Sequence, residues 1–428
     1  MDYLYYFFLS FVFASAGCLI YFYLRHRNKL KKLTSETETD KKKDISSRES
    51  LFTALSACLG TGNIIGIGIM LVAFGPGTIF WLWIQALLGL VFKYFEAFFT
   101  VVHRNKNHNG ESLGGPMFYI ESAAGPKKGR FFGGFYALLV VFLALTAGNM
   151  IQANAVTTIL ETNLGINIFI TSFTLSVLVF LVIRGGIKGI VSYLNKILPF
   201  MLITYVLACL ILLYLNRSQL PQAIQIIFTD AFSGRALAGG SLFIVVKYGI
   251  LRGTFTNEAG IGFGAIAHGA SHNQNPHKEG LIASLGTVID TLFVCTLTAL
   301  VLLSSQFVLI ENGQVSIDPE ISGNIITNLV FIDGLQGLGF AIITISIMLF
   351  GFASILGWFY YGEVAVYYLF KNKNKKIFAY LFSILIFFSA FIGYRLLWEI
   401  NDYINTGLLF INATALLILA SRYFRKRV

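Results

Sequence analysis

Leu59-Gly60-Thr61-Gly62-Asn63-Ile64-Ile65-Gly66-Ile67-Gly68 interrupts one apolar run, and Gly249-Ile250-Leu251-Arg252-Gly253-Thr254-Phe255-Thr256-Asn257-Glu258-Ala259-Gly260-Ile261-Gly262 interrupts another. No other apolar span combines as many glycines with polar side chains. Glycine weakens a helix and lets backbones approach. At mid-membrane, backbone released from a helix must be satisfied by protein or must face a polar cavity. A break there exposes two half-helix ends. The N-terminal end offers N–H groups to a carboxylate, and the C-terminal end offers carbonyls to a cation. Glycines can also serve close helix packing alone. Two interruptions at matching places in two halves of a chain point instead to broken helices around a binding site.

Working outward, the two halves become visible. The chain has 428 residues, 56% hydrophobic and 12% charged, with 41 Phe and 7 Pro. A soluble domain carries about 25% charged residues, so this composition excludes a disordered chain, a collagen-like chain and an ordinary soluble globule. A bilayer core of about 30 Å takes about 20 apolar helical residues. Eleven such runs are present, near 4–24, 51–70, 76–100, 132–160, 166–184, 191–215, 238–262, 279–304, 336–370, 377–395 and 398–421. The first, within 1–24, is expected to be an extra N-terminal helix. Ala14-Ser15-Ala16-Gly17-Cys18 loosely resembles a cleavage site, but no Lys or Arg precedes the run and a basic stretch follows it, so it reads as a retained anchor. The other ten are core helices 1 to 10, in two blocks over 51–215 and 236–421 joined by an outer loop at 216–235. Five is odd, so the second block enters from the opposite side, and the interruptions fall in core helices 1 and 6, the first of each block. The expected fold is an all-α polytopic membrane protein with about 11 transmembrane helices and a five-plus-five inverted repeat.

Net charge is +11, and its placement decides its meaning. With the N-terminus outside, only Arg217, Arg235 and Arg395 face outward, and Lys93, Lys247 and Arg252 lie within helices; the other 26 of 32 Lys and Arg face inward. They lie chiefly in the linker 25–50, the inner loops and the tail 422–428. This is an orientation signal with a cytoplasmic C-terminus. It places basic residues beside anionic lipids and leaves no need for nucleic acid. Residues 34–49, from Thr34-Ser35-Glu36 onward, read as a polar flexible inner linker. The four cysteines fall in apolar runs and are expected to be buried.

The chain resembles the alanine or glycine:cation symporter family over roughly residues 50–370. The resemblance rests on Gly60-Thr61-Gly62-Asn63-Ile64, Gly75-Pro76-Gly77 with Ile79-Phe80-Trp81, and Lys93-Tyr94-Phe95-Glu96. It continues through Gly114-Gly115-Pro116-Met117-Phe118-Tyr119-Ile120-Glu121, Gln152-Ala153-Asn154, Asn257-Glu258-Ala259-Gly260-Ile261-Gly262 and Ile266-Ala267-His268. Ile289-Asp290-Thr291, Leu356-Gly357-Trp358 and Tyr360-Tyr361-Gly362-Glu363 complete it. It implies a repeat of the leucine-transporter type and sodium- or proton-driven uptake of a small amino acid. Phe263-Gly264-Ala265 departs from the family pattern, as do Ile67 and Ile69, where small residues are usual, and Ser354, where Thr is frequent.

Thr61, Gly62 and Asn63 in the first interruption, Thr256 and Asn257 in the second, Gln152 on core helix 3 and Trp358 on core helix 8 are the expected substrate contacts. Asn63 and Gln152 are expected to accept from an ammonium, and Gly62 and Asn63 to offer N–H groups to a carboxylate. Gly60, Ser354 and Asp290 are the expected cation ligands, with sodium as the ion. Ser354 shares a helix face with Trp358; its ligand role is what the resemblance implies. An ionisable group at the depth of Asp290 costs about 3 kcal/mol unless paired or wetted; Arg252, Lys247 or a coupled cation could pair with it. Glu258 carries the same two readings. Lys93 and Glu96, three residues apart near the inner end of core helix 2, read as an intrahelical or interhelical pair. His268, His272 and His277 read as a wet inner loop rather than a metal site.

No P-loop, HExxH or Gly-x-Ser-x-Gly occurs, so neither an enzyme nor an ATP-driven pump is expected. No cofactor besides the coupling ion and no obligate protein partner are expected. The expected function is secondary symport of a small neutral amino acid (alanine, glycine or serine) with sodium across the cell membrane. Proton-coupled carriage of another amino acid such as glutamine, or a non-transporting sensor on the same scaffold, are the alternatives.

Overall fold

The computed structural model describes residues 2–33, 39–233, 242–311, 314–371, 374–391 and 394–425; Thr34-Ser35-Glu36 and Arg235 lie outside them. Helix α1 (Asp2–Leu30) packs on the last helix through Phe7, Phe8 and Phe11 against Phe410. Core helix 1 is two pieces, α2 (Ser47–Cys58) and α3 (Ile65–Phe74). Ser46 caps α2 in a capping box with Glu49, which satisfies two otherwise orphaned N–H groups. Gly75, at φ 89, ends α3, and α4 (Gly77–His103) starts at once. After α5 (Pro116–Ala124), core helix 3 runs as α6 (Pro126–Leu145), a π-helical stretch at Thr146–Ile151, and α7 (Gln152–Leu164). Helices α8 (Ile168–Ile183) and α9 (Gly186–Leu215) close the first block.

The expected outer loop contains a helix, α10 (Leu220–Ser233). It is fastened by Asp230, whose Oδ2 accepts from Gly77 N at 2.8 Å, and by Trp81, which donates to Ala231 O at 3.1 Å. The carboxylate thereby occupies the N-terminus of α4, where negative charge is favoured. The second block opens with a second broken helix, α11 (Leu242–Asn257) and α12 (Phe263–Gly269). Core helix 7 follows as α13 (Pro276–Thr287), a π-helical stretch at Val288–Cys295, and α14 (Thr296–Leu303). In α15 (Ile326–Phe370) Gln336 has φ 51. The apolar run expected from 336 begins at that kink. Helices α16 (Lys375–Phe388) and α17 (Tyr394–Arg425) complete the chain.

Seven helices among the described residues are long and apolar enough to cross a membrane. The other four of the eleven expected runs are the two broken helices and the shorter α8 and α16, so each is made of segments under 18 residues. Phe131, Phe173, Ile203 and Tyr214 are exposed on their helices. Such a surface would be a liability in water and is the expected one in lipid.

The second half of the linker is docked, contrary to the expectation of a flexible segment. Ile45 pairs with Ser271 in a parallel bridge, and Asp44 accepts from Ser112 N and Oγ at 2.7 and 2.9 Å. Cys209 and Cys295 are buried as expected, but Cys58 is half-buried and Cys18 is exposed.

Candidate functional site

The first break is built from α2, a single turn at Thr61–Asn63, and α3. Gly60 is extended there, and a Cβ on it would sit 2.8 Å from Gln152 Oε1 and 3.0 Å from Ser354 Oγ. Only glycine lets the break lie this close to core helices 3 and 8. Gln152 Oε1 accepts from Thr61 N at 3.0 Å and from Thr61 Oγ1 at 2.9 Å. Asn63 is fully buried; its Oδ1 accepts from Gly60 N, and its Nδ2 donates to Asp290 Oδ1 at 2.6 Å and to Cys295 Sγ at 3.2 Å. Thr291 donates to the other Asp290 oxygen at 2.7 Å. Ser354 donates to Ala57 O, on the last turn of α2, at 3.0 Å.

These bonds bear on the roles read from sequence. Gln152 Oε1 already accepts two hydrogen bonds, and Asn63 Oδ1 holds the backbone of its own break, so the amides that were expected to receive an ammonium brace the break instead. Ser354 and Asp290 reach the break at different points, one at the end of α2 and the other through Asn63. The charged neighbour acting on Asp290 is Lys93, while Arg252 lines the central cavity.

The second break is held differently. Glu258, Gly260 and Gly262 have φ of 56, 87 and 99. Asn257 Nδ2 donates to Gln85 Oε1 at 2.7 Å, and its Oδ1 accepts from Ala259 N at 2.9 Å. Asn257 therefore ties the break to α4, and it is absent from the cavity lining. Thr256 does line the cavity, but its hydroxyl bonds Arg252 O on its own helix at 2.7 Å. Glu96 Oε1 accepts from Gly260 N at 2.8 Å and from Asn412 Nδ2 at 2.9 Å; Asn412 also donates to Gly260 O, and Tyr136 donates to Ile261 O. Glu96 thus serves this break, and Lys93, buried against Gly264, acts on it as a charge without a close ion-pair contact.

Between the breaks is a cavity lined by Cys58, Gly62, Gly66, Ile67, Gln152 and Trp358, among others. A Cβ on Gly62 or Gly66 would meet nothing within 4 Å. Trp358 packs on Phe263 and Tyr361 at ring-centroid distances of 5.0 and 5.7 Å and lies against Gly148 in the π-helical stretch, where a Cβ would come within 2.1 Å of its ring. A second cavity shares Gly62, Gly66 and Ile151 and continues along α3 and α7 to Asn324 and Asn328, away from the face where the basic loops gather.

On that basic face buried polar bonds tie the segments together. Glu279 accepts from Ser47 and Ser50, each at 2.7 Å, and lies 2.7 Å from His268 Nδ1; Arg104 donates to Ser271 O at 2.6 Å. His277 lies 2.8 Å from Tyr94 Oη. His268 and His277 are therefore buried and partnered rather than wet, and no group of metal-binding residues occurs among the described residues.

Sequence reasoning missed the paired π-helical stretches, which carry no compositional mark, and Asn412. A lone polar residue in an apolar span is a functional signal by default, and that signal could have found Asn412.

Comparison with known proteins agrees with this architecture. The sodium:alanine symporter family pattern matches residues 4–427. The chain is 36% identical over 378 residues to the sodium/alanine symporter AgcS of Methanococcus maripaludis, covering 88% of this chain and 82% of that one. It is 31% identical over 386 residues to the probable sodium/glutamine symporter GlnT of Bacillus subtilis, covering 90% and 78%. The structure of a Na+-coupled sialic acid symporter superposes with a TM-score of 0.62 at 14% identity, over 97% of this chain and 86% of that one. At that identity the likeness speaks for the fold alone, which is the leucine-transporter type. The chain belongs to the sodium:alanine symporter family, whose members are cation-coupled amino-acid carriers of the membrane and not enzymes.

Proposed function

We propose that the chain takes up a small neutral amino acid, of the alanine, glycine or serine class, with sodium, by alternating access. The observation that carries this reading is the first break: one cavity is lined by Cys58 at the end of α2, by Gly62 in the turn and by Gly66 at the start of α3. The α3 end favours a carboxylate and the α2 end favours a cation. Thr61, Gly62, Asn63, Gln152, Thr256 and Trp358 shape the substrate site, and Asn257 holds the second break in place. Gly60 and Ser354 hold sodium at the α2 end, and Asp290 supports it through Asn63. The N-terminus lies outside and the C-terminus in the cytoplasm, so the second cavity is the outer approach.

Ile67 lines the central cavity and Ile69 the approach. Both narrow the space for a side chain, which favours alanine over the glutamine in the name of the Bacillus subtilis relative. Steric exclusion must do this work, because each extra methylene is worth only about 1–3 kcal/mol in binding.

The test is uptake in proteoliposomes with a panel of labelled amino acids, with sodium and proton gradients imposed separately. Sodium-driven accumulation of alanine, glycine or serine supports the reading. Accumulation that follows pH alone, or that prefers glutamine, replaces it with the corresponding carrier. Binding without one-for-one counterflow would make the protein a sensor.

A further inference from the structure

Glu258 is the one acidic residue that lines the central cavity among the described residues. It is 2% exposed, and its Oε2 is buried without a hydrogen-bond partner in the structure. Its backbone is left-handed, with φ 56, a conformation that strains a non-glycine residue. Glycine, frequent on both sides of it, would avoid that strain. A glutamate kept in such a place suggests that the side chain is used.

The surroundings say for what. Cys58 on α2, Lys93 and Glu96 on α4, Tyr136 on α6, Asp290 in core helix 7 and Tyr361 on α15 lie around the carboxylate. Lys93 is the one cation among them, against three carboxylates. The α2 end adds the partial negative charge of a helix C-terminus to the same side of the cavity. Gly62 in the turn and Gly66 in the first turn of α3 line another part. Arg252, on α11 six residues before Glu258, also lines it. The α3 N-terminus with its N–H groups suits a carboxylate, and Glu258 suits a cation. Gln152 Oε1 already accepts two hydrogen bonds and Asn63 Oδ1 one in holding the first break.

We propose that the side-chain carboxylate of Glu258 receives the α-ammonium group of the substrate and so fixes the orientation of the zwitterion, with the carboxylate toward α3. The inference rests on the amino-acid reading of the cavity and goes beyond it by naming the ammonium acceptor. An ammonium placed there meets a carboxyl group, so a substrate lacking that group loses a charge-assisted hydrogen bond.

The experiment is competition between labelled L-alanine and L-lactate, which carries a hydroxyl in place of the ammonium, on the purified full-length protein. In the wild type, lactate should compete at least about 100-fold more weakly than alanine. Glu258→Gln should weaken alanine by more than about tenfold and change lactate by less than about threefold, so that the discrimination collapses. Discrimination unchanged in Glu258→Gln overturns the assignment, whether both ligands weaken together or neither does. If that variant does not fold, Glu258→Asp, which keeps the charge but draws it back, should weaken alanine selectively. Equal competition by alanine and lactate in the wild type overturns the inference without any variant. A wild type that binds no small amino acid defeats the functional reading itself, whereas binding with intact discrimination in Glu258→Gln defeats only this inference.

Discussion

The two helix breaks have the same glycine-rich composition and opposite construction. The second is fastened from outside: Asn257 reaches Gln85, Glu96 and Asn412 hold both backbone groups of Gly260, and Tyr136 takes the carbonyl of Ile261. The first is braced by Gln152 and Asn63 but leaves Gly62 and Gly66 bordering open space. A break whose backbone is fully engaged by side chains is a fixed wall. A break with one side open is where a ligand can complete the bonding. On the proposed function, the difference gives binding to the first break and shape to the second, apart from the role proposed for the carboxylate of Glu258.

The largest effect expected from this contrast is at Asn63. Removing its amide strips a donor from each of Asp290 and Cys295 and the acceptor from Gly60 N. Leaving a buried charged group without its partner costs about 1–3 kcal/mol or more, and about 1.4 kcal/mol is tenfold in binding. Asn63→Ala should therefore weaken alanine binding by about tenfold to 100-fold in an equilibrium assay. Unchanged binding would show that the pocket has been assigned to the wrong break.

Ser354→Ala comes next. The hydroxyl meets the Ala57 carbonyl at the end of α2, where a cation is favoured. The sodium concentration for half-maximal uptake should rise about tenfold, with the KM for alanine at saturating sodium nearly unchanged. A sodium dependence that does not move would remove Ser354 from the ion site.

The contrast between the breaks was only half legible in the sequence. Glycine and polar residues inside an apolar run are a local signal, so both breaks and the run that begins at the Gln336 kink could be placed. What fills each break is set by residues far away in the chain, such as Asn412 with Gly260 or Asn63 with Asp290, and no local pattern announces them. Lys93 and Glu96 show the limit. Their spacing suits a helical pair, and Lys93 does act on Glu96, but the sequence does not announce that Glu96 Oε1 also satisfies Gly260 N or that Lys93 acts on Glu258. The docked linker fails for the same reason. Residues 39–46 look polar and loose, but Asp44 and Ile45 have partners at Ser112 and Ser271. Helix α10 was read as a loop because the segment is short for a span, although Asp230 gives it a fixed place at the start of α4.

Asn412→Ala sharpens the comparison from the other side. It removes donors to Glu96 and Gly260 and the acceptor for Tyr119. Thermal unfolding of the purified protein should show a loss of about 1–3 kcal/mol, while the KM for alanine moves by less than about threefold. A large rise in KM with unchanged stability would mean that the second break touches substrate through more than Glu258.

The smallest effect, and the most selective, belongs to Gly66. It lies in α3 at a helical position, lines both cavities, and a Cβ there would meet nothing within 4 Å. Gly66→Ala thus carries no steric cost within the protein, and replacing a helical glycine should add about 0.5–1 kcal/mol of stability. The added methyl occupies space that the substrate side chain or its approach would use. Glycine has no side chain to lose room, serine has more than alanine, and one methyl in a pocket is worth about 1–3 kcal/mol. Competition assays should therefore show glycine nearly unaffected, alanine weakened severalfold and serine weakened further, in a variant that is as stable as the wild type or more so. If all three weaken equally, the methyl acts on the backbone N–H groups that receive the carboxylate, and side-chain selection must be placed at Trp358 and Ile67 instead. If none changes, the open side of the first break does not face substrate, and the contrast with the second break loses its functional meaning.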